Sequence, residues 1–192
     1  MTILSKIGNL CFRPSMVALA GFNPLTHQAH IVSMMCLPRA ADLDRTVIEA
    51  IPVKQSSGWW TGLVRDRDHE TGETRLRLER LVENQRGVDI PHVWRVRPDF
   101  WESERDAVNM LMNGGGSAAP SSLPISDRYT PNEYIPIRKD DVRHVAVVRL
   151  QKPSGWCTRL YHWDARDGSV RQKFTTGQPW DDLVSTANTR LR

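Results

Sequence analysis

The sequence predicts an α+β protein assembled from tandem ββββα repeats. Three observations carry that reading: short matches that recur on one offset, runs of alternating side chains bounded by turn residues, and two segments of helical apolar spacing.

The matches come first. Ile51-Pro52-Val53-Lys54 recurs as Ile135-Pro136-Ile137-Arg138, 84 residues later. Val64-Arg65 recurs as Val148-Arg149 and Thr74-Arg75-Leu76 as Thr158-Arg159-Leu160, again 84 apart. Trp101 matches Trp180 at an offset of 79, so about five residues are missing from the second copy, which places the loss in a turn between its last strands.

Each copy then reads as four strands and a helix. The Ile-Pro-x-Lys/Arg segments supply a leading strand. In the first copy, strands follow at 59–65, 73–82 and 91–97, the first two separated by the charged turn 66–72. In the second they run over 143–150, 156–163 and 169–174, joined by Lys152-Pro153-Ser154-Gly155 and Asp164-Ala165-Arg166-Asp167-Gly168. Asp99 and Glu102 suit a capping box after Pro98, and Trp101, Val108, Leu111 and Met112 form an apolar stripe. Pro179 suits a first helical turn, followed by Trp180, Leu183, Val184, Ala187 and Leu191 at helical spacing. Each opening tryptophan is expected to anchor its helix to its own sheet. The repeats span 45–112 and 125–192, and the Gly/Ser/Pro-rich stretch 113–124 is expected to be a flexible connector.

Residues 1–41 carry Lys6, Arg13 and Arg39 and no acidic residue, and Ile3, Leu4, Ile7, Leu10 and Cys11 have helical spacing. An amphipathic, basic, acid-free opening has the character of a mitochondrial presequence, which implies import into the matrix. This segment also holds +3 of the +4 formal charge, leaving residues 42–192 with 23 of the 26 basic side chains against all 22 acidic ones. A basic surface on the folded part therefore requires segregation of charge between faces. Cys11, Cys36 and Cys157 are scattered and odd in number, a pattern of neither a disulfide framework nor a zinc site. No apolar run reaches the roughly 20 residues that cross a bilayer, so no membrane association is expected.

Four strands closed by a helix opening on Pro98-Asp99-Phe100-Trp101, and again on Gln178-Pro179-Trp180, resemble the single-stranded nucleic-acid-binding group of the Whirly proteins. With tandem copies and a presequence-like start, the chain is most similar in plan to the kinetoplastid mitochondrial guide-RNA-binding proteins of Whirly type. The resemblance covers roughly residues 45–192. The plant Whirly signature Lys-Gly-Lys-Ala-Ala-Leu is absent, so no binding residue is carried over from it. The resemblance implies two antiparallel four-stranded sheets with helices packed on one side. It also implies homo- or hetero-oligomers with a paralogous chain, formed through the helices. Single-stranded RNA, guide and messenger, would be bound with little sequence preference and annealed.

Alternation identifies candidate contacts. Arg159, Tyr161 and Trp163 share one side of their strand, as do Arg75 with Arg77, and Arg95 with Arg97. Arg143 and Arg149 share a side with Val145 and Val147, and Arg171 with Lys173 opposes Val170 and Phe174. Guanidinium groups suit phosphate oxygens and aromatic rings stack bases at about 1–3 kcal/mol each, so one basic face on both sheets is expected to bind a single strand. Alternatively, these arginines pair with acidic neighbours, and the sheets contact protein within a mitochondrial ribonucleoprotein assembly. His27, His30, His69, His92, His144 and His162 show no metal-ligand spacing, and Asp66/Asp68 and Asp140/Asp141 flank turns. No catalytic residue, metal or cofactor is assigned.

Overall fold

A computed structural model describes residues 45–56, 59–84, 87–126, 128–177 and 179–191. The presequence expected at 1–41 and Gln178 of the second helix opening lie outside the described residues. The first run comprises β1 (Arg45–Ser56), β2 (Trp59–Asp68), β3 (Thr74–Asn84), β4 (Gly87–Val96) and the helix α1 (Pro98–Met112). The two-residue β5 (Ser117–Ala118) precedes the second run. That run comprises β6 (Thr130–Lys139), β7 (Arg143–Lys152), β8 (Gly155–Asp164), β9 (Val170–Thr175) and the helix α2 (Trp180–Arg190).

The turns explain where these strands stop. In two of them an aspartate is followed four residues later by glycine with positive φ: Asp68 with Gly72 at 69°, and Asp164 with Gly168 at 70°. The Asp68 carboxylate accepts the backbone N–H groups of Glu70 and Thr71, and Asp164 accepts that of Arg166. Each aspartate thereby supplies acceptors that a continuing strand would have supplied.

Two separate four-stranded sheets were expected. The strands instead form one antiparallel nine-stranded sheet in the order β1-β2-β3-β4-β9-β8-β7-β6-β5. The joint is narrow, with Val93 opposite Lys173 as the one registered pair of β4 and β9. Side chains extend it, since the Arg95 N–H donates to Gln172 Oε1 at 3.2 Å and the Thr175 hydroxyl reaches His92 Nδ1 at 3.3 Å. β9 is short, and Pro91 of β4 has no N–H to offer a ladder.

The register refines the repeat. Bulges interrupt β1–β2 after Val47 and Pro52, and β6–β7 after Pro131 and Pro136, each 84 residues on. Leu63 faces Leu78, whereas Val147 faces Leu160, so β3 and β8 correspond at an offset of 82 and the Thr74-Arg75-Leu76 match is two residues out of structural register. Leu78 faces Trp94 and Leu160 faces Phe174, an offset of 80 between the last strands. The five-residue difference is thus spread over two hairpins and the step into the helix. Val93 and Lys173 are equivalent by this count, so the sheet is joined between matching positions.

The core lies on the face bearing Leu63, Leu78, Trp94, Val145, Val147, Leu160 and Phe174, which both helices cover. Each helix crosses to the other run, α1 packing on β6, β7 and β8 and α2 on β2. The tryptophans consequently anchor helix to helix rather than each helix to its own sheet. Trp101 and Trp180 lie 5.9 Å apart between ring centroids. Trp101 Nε1 donates to Asn188 Oδ1 at 2.8 Å, and Trp180 Nε1 donates to Asn109 Oδ1 at 2.9 Å. Asn109 and Asn188 keep the 79-residue offset of the tryptophans, so the interaction is reciprocal. α1 begins at Pro98 with Arg97 as its cap and no side-chain cap bond, so the capping box expected of Asp99 and Glu102 is not formed.

Glu104 is the polar exception in this core, 1% exposed and accepting a 2.8 Å hydrogen bond from Trp94 Nε1. Burial pushes its carboxyl up to about 7, against the opposing effects of the Trp94 bond and the Arg97 charge. The folded chain therefore holds this proton more tightly than the unfolded one, and stability falls as pH rises through 4.5 toward 7. Glu104→Gln keeps an acceptor for Trp94 and removes that loss. Relative to wild type, the variant should gain on the order of 2 kcal/mol between pH 5 and pH 8 in urea unfolding. An unchanged difference across that range would show that Glu104 is ionised throughout.

Candidate nucleic-acid interface at the sheet joint

The basic residues expected to share one face divide into three environments. Arg75, Arg77 and Arg95 lie on the face opposite the helices, beside Arg45, Asp66 and Glu79. Asp66 and Glu79 are fully buried. Arg45 bonds both carboxylates at 2.7 and 2.6 Å, and Arg77 pairs with Asp66 at 3.0 Å. Arg75 pairs with Asp68 at 2.5 Å and with Glu73 at 3.1 Å, and Arg95 also pairs with Glu73. Burial pushes the Glu79 carboxyl up while the Arg45 guanidinium opposes it. Four arginines thus meet four carboxylates, and this part of the face carries no surplus charge.

On the second run the same face is covered. Ala119, Leu123, Ile125 and Tyr129 pack over Ala146, Val148, Leu150, Tyr161 and Trp163. The Pro124 carbonyl accepts from Trp163 Nε1 at 3.1 Å. The stretch expected as a flexible connector therefore lies along the sheet as a strap. Tyr161 and Trp163 stack on each other at 4.7 Å and are 3% and 1% exposed, so their rings are closed to a base. Arg143 and Arg149 occupy the opposite, helix-bearing face, where Arg149 pairs with Glu133 at 3.1 Å. Arg171 pairs with Asp164 at 2.8 Å.

A third group meets at the joint of the two runs from both faces of the sheet, with Arg80 on the side of Leu78 beside Thr61 and Trp59, and Arg159 and Lys173 on the side of Tyr161. Arg159 Nε donates to the Thr175 hydroxyl at 2.9 Å. That hydroxyl also lies 3.3 Å from His92 Nδ1, so the three residues form one chain across β8, β9 and β4. Arg80 of β3 and Lys152 at the end of β7 join Arg159 and Lys173 in acting on the His92 ring. Arg80 Nε donates to the Thr61 hydroxyl at 3.1 Å, and Arg159 NH1 to the Tyr161 hydroxyl at 3.0 Å. Among the described residues, none of Arg80, Lys152, Arg159 and Lys173 has a carboxylate within ion-pair distance.

Aromatic rings adjoin these cations. The Arg80 guanidinium lies 5.9 Å from the Trp59 ring centroid and that of Arg159 lies 4.8 Å from Tyr129. Trp156, opposite Gln151 on the hairpin that carries Lys152, is 55% exposed. Lys173 is exposed and Lys152 half-buried, which suits both for direct contact, whereas Arg159 is buried and contributes field from beneath. The sequence reading identified Arg159 and Lys173 but missed Arg80, His92, Lys152 and Thr175. Arg80 did leave a signal, because it continues the apolar side of β3 after Leu76 and Leu78.

Burial, and then the charges of Arg159, Arg80, Lys173 and Lys152, depress His92 from 6.5 to about 3. Its ring is neutral at ordinary pH. In the unfolded chain it protonates near 6.5, so stability is lost as pH falls from 6.5 toward 3. His92→Asn, which retains an acceptor for Thr175, should recover on the order of 2 kcal/mol relative to wild type at pH 4 and little at pH 8. Equal effects at both pH values would show that the ring is not held neutral by its surroundings.

Among the described residues, no group of three or more His, Cys, Asp or Glu side chains could hold a metal ion, and no helix is long and apolar enough to cross a membrane. The chain is thus an α+β protein whose antiparallel sheet carries cations at its joint that have no ion-pair partner among the described residues. No protein-family model matches it, and no curated protein is significantly similar to it.

Proposed function

We propose that this chain is a duplicated ββββα protein of Whirly type that binds single-stranded RNA without strong sequence preference, and is not an enzyme. The observation that carries the proposal is the set of cations at the joint, Arg80, Lys152, Arg159 and Lys173 around His92, with the Trp59 ring near Arg80 on one face and the Tyr129 ring near Arg159 on the other. Cations without counter-ions attract phosphates, and adjacent rings accept bases without reading their identity. The paired arginines of the first run are assigned to stability instead. The mitochondrial matrix is the proposed location, and annealing of guide RNA to messenger RNA in editing or processing the proposed role. Both rest on the presequence-like opening and on the family resemblance.

The decisive measurement is binding of single-stranded, duplex and structured RNA by the full chain across a salt series, with its size determined in solution. Single strands are expected to bind best, with affinity falling steeply as salt rises. No binding at low salt would refute the proposal. The second reading is a protein-contacting subunit of a mitochondrial ribonucleoprotein assembly. The charge-neutral face around Asp66 and Glu79 favours it, as do Met110 and Met112, 55% and 40% exposed on α1. A paralogous chain that co-purifies in fixed ratio, without RNA affinity, would support that reading.

A further inference from the structure

We propose that Arg97, Arg138, Arg143 and His162 form a second phosphate-binding site, separate from the cluster at the joint. The Arg97 and Arg138 guanidinium carbons lie 5.1 and 5.0 Å from the Phe100 ring centroid, so one ring fixes both cations. Arg143 faces Asp164 across β7–β8, and His162 faces Val145, two residues further along that ladder. Arg97, Arg143, Arg171 and the carboxylate of Asp164 act on the His162 ring, and Arg138 and Arg143 act on Arg97, which places the four side chains in one electrostatic neighbourhood.

Of the carboxylates at hand, Asp140 neutralises Arg138 within the site, and the others are bound to groups outside it. Asp140 pairs with Arg138 at 2.7 Å and also accepts the backbone N–H groups of Val142 and Arg143 at 3.0 and 2.7 Å. Asp164 pairs with Arg166 at 2.7 Å and with Arg171 at 2.8 Å. Glu104, the acidic group acting on Arg97, bonds Trp94 in the core. Among the described residues, Arg97 and Arg143 are left without an ion-pair partner. Arg97 Nε and His162 Nδ1 are buried and have no hydrogen-bond partner.

Arg97 Nε–H is an obligate donor, and a buried donor without an acceptor is costly. A tetrahedral oxyanion supplies several acceptors and the missing negative charge together. A carboxylate offers fewer oxygens to guanidinium groups converging from two strands and a loop. Phosphate is therefore the ligand class, whether a backbone phosphate of a nucleic-acid strand or a free phosphate compound.

The test is a titration of the full chain with inorganic phosphate, followed by the His162 ring proton resonances in NMR. The His162 signals should move saturably. Arg97→Gln/Arg143→Gln should abolish the movement, and Lys152→Gln/Lys173→Gln should leave it intact. Arg143→Gln alone, with its thermal unfolding measured, serves if the double variant does not fold, and should weaken the response at least fivefold. No movement of the His162 resonances, or movement that persists in both arginine variants, overturns the site. A single-stranded RNA titration separates the sources. A salt slope flattened by about 0.7 in Arg143→Gln supports a backbone phosphate, and an unchanged slope with the phosphate response lost supports a free ligand. The phosphate titration stands even where RNA binding fails.

Discussion

Replacing Lys152 and Lys173 together by glutamine is expected to weaken single-stranded RNA binding about tenfold near 0.15 M salt. The same change should flatten the dependence of log K on log salt by about 1.4, since each phosphate contact to a single strand contributes about 0.7. Counter-ion release at that salt is worth about 0.8 kcal/mol per contact, so two contacts account for roughly the tenfold loss. Neither lysine has an ion-pair partner among the described residues, and Lys173 is exposed, so the unfolding transition should hardly move. Arg75→Gln/Arg77→Gln is the contrasting variant. Its arginines hold Asp66, Asp68 and Glu73, so it should lose stability while keeping the wild-type salt slope. An unchanged slope in the lysine variant, with the fold intact, would remove the joint from RNA binding.

Truncating Trp101 to alanine is expected to cost about 3–5 kcal/mol, the range for a large aromatic removed from a packed interior. The side chain is 2% exposed, packs on Trp180 and satisfies Asn188 on the other helix. Its loss leaves a cavity and also an orphaned amide oxygen. For a domain of this size the melting temperature should drop by about 10 °C or more. Trp180→Ala should behave similarly, because Trp180 donates to Asn109 in the reciprocal arrangement. The two losses should not add, since one contact is common to both. A cost below about 1 kcal/mol for either variant would mean that the helix pair does not hold the two runs together.

Much of the fold was legible because its signals are local. Asp68-to-Gly72 and Asp164-to-Gly168 close hairpins through turn chemistry that is written in the chain. Alternation in β3 and β8 placed Leu76 and Leu78 on one side, and Arg159 with Tyr161 together on another. The weaker inference was that similar letters mark equivalent positions. Thr74-Arg75-Leu76 and Thr158-Arg159-Leu160 match in letters but not in register, because a hairpin two residues shorter slides one strand along its partner. The site suffered most from this limit. Alternation tells which side chains share a strand face but not what lies over that face, and the strap over Tyr161 and Trp163 comes from residues about 40 positions away.

By itself the sequence determined an α+β chain of strands and two helices, the repeated spacing of its elements, and the concentration of net charge in the first 41 residues. These follow from periodicity, turn residues and composition, none of which requires knowing what meets what. The tertiary structure alone decided that the strands join into one sheet through Val93 and Lys173, and that each helix crosses to the other run. It also decided which arginines are neutralised and which are not. Arg77 and Arg159 are indistinguishable as alternating strand arginines. One lies against a buried Asp66 and the other against Thr175 and His92, and that difference is made by neighbours brought from distant parts of the chain.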